Sequence, residues 1–155
     1  MNRKTIAITA AILGLSSASF VAVAASPAKT IETREANFKV MGKAMKGMFD
    51  QFKTPAPDMA VIKASAAALS QAAPKVAGHF PKGSGPESGV KTHALPAIWE
   101  KPADFKAAAA KLQASVKTLQ AAAQGGNLDQ IKAAAGGVGV GGACKGCHEQ
   151  FKARD

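Results

Sequence analysis

The sequence predicts an all-α fold, an antiparallel, up-down-up-down four-helix bundle. Three observations predict it. Apolar residues recur at helical spacing along most of the chain after residue 25. Proline- and glycine-rich stretches cut that pattern into four lengths. The sequence offers no alternating, strand-like run and no internal repeat.

The first helix is expected from about Ser26 to Phe52. Ile31, Phe38, Met45 and Phe52 repeat every seven residues, and Arg34, Met41 and Met48 fall three positions after the first three of these. That is an a/d seam, the pattern that packs helix on helix. Thr54-Pro55-Ala56-Pro57 ends it, and Asp58 suits the N-cap of a second helix. The second seam is Met59, Ala66, Ala73 and Phe80, interleaved with Ile62, Leu69 and Val76. Pro74 lies inside it, so a kink or break is expected there. Pro81 to Pro96 reads as the long connection. The third helix is expected from about Pro102 to Gln124, with Phe105, Ala109, Leu112, Val116, Leu119 and Ala123 on one face. Gly125-Gly126 stops it. Asn127 caps the fourth, with Gln130 at the reciprocal capping-box position, and this helix is expected to run to about Lys152.

The chemistry sits on that last helix. Cys144-Lys145-Gly146-Cys147-His148 is a Cys-x-x-Cys-His string, and its cysteines are the only two in the chain. Thiols three positions apart on one helical face can each add to a vinyl group of the same porphyrin. His148 then brings an imidazole nitrogen to the iron. The string therefore points to one covalently attached haem c. A zinc site would want a second ligand pair, and neither His79 nor His93 has a partner at ligand spacing. A thioredoxin-like redox motif would want a preceding strand. Gly136, Gly137, Gly139, Gly141 and Gly142 run just before the string. In a helix they cost roughly 3–5 kcal/mol against alanines. The expected offset is attached haem, whose flat face glycine lets approach the backbone.

The N-terminus agrees with an exported haem protein. Asn2-Arg3-Lys4 is a short basic segment, Ile6 to Leu15 is apolar, and Ala22 to Ala25 offers small-residue cleavage sites. Residues 1–25 are read as a leader cleaved near Ala24 to Ser26, and 26–155 as one domain in the periplasm. The apolar core is short for a membrane span. An uncleaved anchor is the alternative reading. The full chain carries 20 basic and 10 acidic residues, a net charge of +10. Losing Arg3 and Lys4 with the leader lowers this by two. Such a balance is open to an acidic partner or an anionic surface, but lysines scattered over helix faces read first as a solvated polar face. Nucleic acid is not indicated: the lysines are scattered, tyrosine is absent, and no arginine-aromatic cluster appears. Arg34 stands out, because a charge in an apolar seam needs a partner. It either pairs with a haem propionate, or snorkels along the seam edge to water or to a neighbour such as Glu35 on the surface.

With a leader, four helices and a C-terminal Cys-x-x-Cys-His, the chain resembles the cytochrome c′ family over essentially its whole mature length. Arg34-Glu35-Ala36-Asn37-Phe38, Ile98-Trp99, Phe105-Lys106, Gly126-Asn127-Leu128-Asp129 and Cys144 to Lys152 carry the resemblance. It implies thioethers at Cys144 and Cys147 and His148 as the single protein ligand of the iron. It implies an apolar distal residue at Phe38, a haem-contacting arginine at Arg34 and a basic residue, Lys152, flanking the proximal histidine. It also implies a homodimer formed through the first two helices. One departure is visible. The stretch from Ile131 to Cys144 is about two residues longer than the family pattern, which shifts helical phase by roughly 200°. The glycine run is expected to absorb it as a bulge or irregular turn.

The functional expectation is five-coordinate iron that binds NO and CO in an apolar pocket. Phe38 offers no hydrogen bond, so polar or anionic ligands gain little there. The family resemblance implies NO sequestration or carriage, with redox cycling and an unidentified redox partner. The alternative is a low-spin electron carrier with a first-helix methionine as sixth ligand. Met41, Met45 and Met48 lie nearby, although methionine at heptad spacing usually packs cores. An enzyme, for instance a peroxidase, would want a distal base. Only His79 and His93 are candidates, and both are read as solvent-facing, so no enzyme is expected. Trp99 is read as a packing anchor for the long connection.

Overall fold

The computed structural model describes residues 25–139 and 141–154. The expected leader, apart from Ala25, lies outside them. The bundle is built from α1 (Pro27–Phe52), α2 (Met59–Ala72), a one-turn α3 (Ala97–Glu100), α4 (Pro102–Gly125), α5 (Leu128–Val138) and α6 (Ala143–Phe151). α5 and α6 together form the fourth rod. No strand occurs among the described residues, only an isolated bridge between Ala94 and Lys152. None of the described helices is long and apolar enough to cross a membrane.

The helix ends follow local chemistry. The Ser26 hydroxyl accepts from the Lys29 amide at 3.3 Å, and Asp58 accepts from the Ala60 amide at 2.7 Å. Asn127 accepts from the Gln130 amide at 3.0 Å. Each satisfies a first-turn N–H that has no partner within the helix. Gly126 ends α4 at φ +78°, a left-handed conformation that a residue with a Cβ adopts only at a cost. Pro74 stops α2. The chain passes instead through two single turns of 3-10 helix, Ala73–Lys75 and Ala77–His79.

The fourth helix is not one continuous rod to about Lys152: it breaks within the glycine run, where a bulge or irregular turn is expected. Gly136 and Gly137 belong to α5, whereas Gly139, Gly141 and Gly142 lie in the break before α6. The physical reason is close approach. A Cβ at Gly142 would overlap the Gly137 backbone, and one at Gly139 would sit 3.0 Å from the Met45 methyl.

Met48, Ile62, Ala66, Leu69, Leu119, Ile131, Ala135 and Val138 are fully buried and define the core. Each large apolar side chain among them contributes roughly 1.5–3 kcal/mol of burial. α1 packs along α2, α2 along α4, and α4 against both α5 and α6. No comparable packing joins α1 to α5 or α6 among the described residues. Side chains span that flank.

Candidate haem site

α6 positions the Cys-x-x-Cys-His string. Phe151 anchors this helix to α4, its ring 5.4 Å from that of Phe105 and nearly perpendicular at 83°. Cys144 and Cys147 are half-buried against the core and are free thiols. Burial raises both pKa values, and the neighbouring Cys144 adds to the rise at Cys147. His148 follows on the more exposed side of α6. The protein packed around its ring, then the Lys152 ammonium, lower its pKa. Both effects favour the neutral imidazole, the form that ligates a metal.

Across the unpacked flank, Phe38 of α1 faces this imidazole. The ring centroids lie 6.3 Å apart, edge to face at 63°. Phe38 also meets Phe80, again at 6.3 Å. One turn earlier, Arg34 is 3% exposed, which makes it the most deeply buried charge in the described chain. Its guanidinium lies 4.5 Å above the Phe80 ring. It donates to the Thr92 hydroxyl at 2.7 Å and to the Ser84 carbonyl and hydroxyl at 3.1 and 3.3 Å. Every one of these partners is neutral. Burial, the dominant effect, lowers its pKa, and Glu35 opposes the shift. These bonds occupy three of the five N–H donors a guanidinium carries. The snorkelling alternative does not describe this side chain.

The structure thus brings Arg34, Phe38, Cys144, Cys147 and His148 to one flank. The donor set fits a covalent haem: two cysteines and a histidine on one short helix, beside a flank where α1 and α6 pack little and a buried cation whose hydrogen-bond partners are all neutral. Among the described residues no group of three metal-ligating side chains exists as a rival metal site. Lys152 lies just past the end of α6 in extended conformation, its amide bonded to the His148 carbonyl at 3.1 Å.

Three details go beyond the sequence reading. Ser84 and Thr92, the partners of Arg34, sit in the long connection, where no periodicity marks them. Trp99 is the anchor expected of it: its indole N–H bonds the Phe80 and Pro81 carbonyls at 3.2 and 3.1 Å. A Cβ on Gly85 would strike its ring. His79 departs from the solvent-facing expectation. Its Nδ1 is buried with no hydrogen-bond partner, and its pKa is lowered by burial and then by Lys75 and Arg34.

Comparison with known proteins places this arrangement. The cytochrome c′ family model matches residues 29–152. A cytochrome c′ of Rhodopseudomonas palustris is 39% identical over 125 residues, covering 80% of this chain and 82% of that one. A solved ferrous variant of cytochrome c′ from Alcaligenes xylosoxidans with bound NO superposes with a TM-score of 0.74 at 31% identity, over 84% of this chain and 98% of that one. A cytochrome c′ described by its ligand-controlled dimer dissociation superposes with a TM-score of 0.77 at 27% identity, over 85% of this chain and all of that one. Proteins of this family carry a covalently bound haem c, which is the cofactor here. With a matching family model over most of its length and the family's bundle around the same C-terminal string, the chain belongs to the cytochrome c′ family.

Proposed function

We propose that this protein is a periplasmic NO- and CO-binding haem protein whose iron keeps one coordination position open under Phe38. The observation that carries this reading is the pairing of Phe38 with His148 across the flank between α1 and α6. When bound, the haem supplies an iron that takes up small gases and cycles between oxidation states. The residues of the chain do the rest. Cys144 and Cys147 would hold the group through thioethers, and His148 would ligate its iron. Phe38 offers the facing side a wall with no proton to donate and no lone pair to give. A polar ligand loses its water there without recompense, while a neutral diatomic loses little. Arg34 holds a propionate with its remaining donors. Lys152 keeps a positive charge beside His148, favouring the neutral imidazole. The physiological role proposed is sequestration or carriage of NO, with a redox partner drawn to the basic surface. The NO complex of the Alcaligenes xylosoxidans relative supports this reading.

The low-spin carrier with a methionine ligand is less well supported. Met41 and Met48 are buried in the core, and Met45 lies against Gly139. The deciding measurement is the absorption spectrum of the holoprotein, ferric and ferrous, before and after CO and NO. A broad high-spin ferrous spectrum that shifts with either gas is expected. Sharp low-spin bands indifferent to CO would overturn the proposal. The homodimer is likewise a proposal. The only large apolar side chains exposed among the described residues, Val40 at 48% and Val61 at 38%, lie on α1 and α2, the two helices expected to pair.

A further inference from the structure

We infer that residues 92–95 form a strap that sets the width of the haem flank, with Thr92 as its positioning residue; this rests on the gas-binding reading above. α1 carries Phe38 and α6 carries His148, yet these helices make little direct contact. The long connection joins them instead. Thr92 accepts the 2.7 Å hydrogen bond from Arg34 of α1. Its neighbour His93 accepts, at its carbonyl, the Ala153 amide at 2.8 Å, and the Leu95 amide donates to the Phe151 carbonyl at 3.0 Å. One short segment is therefore bonded on one side to α1 and on the other to the end of α6.

The strap is stiff where it matters. The Thr92 hydroxyl also accepts the Ala94 amide at 3.2 Å, so both its lone pairs are engaged and the turn into 93–95 is fixed. Farther back, Ser84 is 1% exposed and binds the same guanidinium. Arg34 in turn lies over Phe80, whose ring meets Phe38. A change at Thr92 thus reaches Phe38 by two routes, the guanidinium above Phe80 and the spacing of α1 from α6. Thr92 touches neither the gas nor the iron. It acts through where it holds the wall.

Two variants of the holoprotein test this. Thr92→Val keeps the shape and removes the acceptor, whereas Thr92→Ser keeps the acceptor. CO association to the ferrous protein is measured by flash photolysis, and exchange of the Leu95 and Ala153 amides by hydrogen–deuterium NMR of the ferrous CO form, or of the ferrous form where CO does not bind. In Thr92→Val, a change in CO rate of about fivefold, the scale of one hydrogen bond, is expected, together with faster exchange of both amides. Thr92→Ser is expected to match the parent in both. Equal CO rates in all three proteins would overturn the inference, as would a Ser variant that behaves like the Val variant. A parent that binds no CO would sink the gas-binding reading instead. The amide exchange would still decide the strap: unchanged exchange in Thr92→Val would overturn it.

Discussion

Phe38 and Arg34 sit one turn apart on α1, yet the chain treats them differently. Phe38 is half-buried and faces His148; Arg34 is buried and held by the long connection. For Phe38 the expectation is kinetic. A barrier of about 1.4 kcal/mol corresponds to about a tenfold change in rate. Phe38→Ala should speed CO association by at least that factor, as stopped-flow mixing would show. An unchanged rate would mean that the ring does not guard the open position. The truncation should cost less stability than the roughly 3–5 kcal/mol of a fully buried phenylalanine, because this ring is partly exposed already. Arg34 illustrates how far sequence alone reaches. Its place in the seam announced a buried charge that needed partners. It could not announce Ser84 and Thr92, which lie 50 and 58 residues away in a stretch without periodicity. His79 was opaque for a similar reason. A histidine near a loop gives no sign that 3-10 turns after Pro74 will fold one nitrogen inward.

At the level of elements, the long rods were legible because heptad spacing and caps agree. Asp58 and Asn127 cap where their chemistry suggests, and Pro74 breaks α2 within two residues. The fourth rod was legible only in part. The glycines marked where an irregular turn had room to form. Which glycines stay helical depends on contacts no pattern encodes. The structure separates them cleanly. An added Cβ at Gly136 or Gly137 meets nothing within 4 Å, whereas one at Gly142 collides with the Gly137 backbone. Gly137→Ala should therefore stabilise the protein by roughly 0.5–1 kcal/mol, the helical preference for alanine. Gly142→Ala should destabilise it by roughly 1–3 kcal/mol, the usual cost of overpacking. Denaturant midpoints of the two holoproteins would check this. Equal shifts would show that the break is not held by close approach.

For the whole molecule, the issue is association. Val40 and Val61 are exposed on neighbouring helices of the same hairpin. A two-fold interface places each residue near its own copy or that of its neighbour, so one substitution acts twice. Val40→Glu brings two carboxylates into such an interface. Sedimentation of the parent should report a dimer and that of the variant a monomer, with the ferrous CO spectrum unchanged. A variant that sediments like the parent would move the interface elsewhere.

The glycine break between α5 and α6 has one more consequence, which concerns what keeps α6 helical. α6 is nine residues long, shorter than the roughly 12–15 that an isolated helix needs to persist in water. It is helical because it is docked, and the break frees it from the rod behind it. The segment that carries Cys144, Cys147 and His148 is thus held in place by its docking on α4 rather than by the rod behind it.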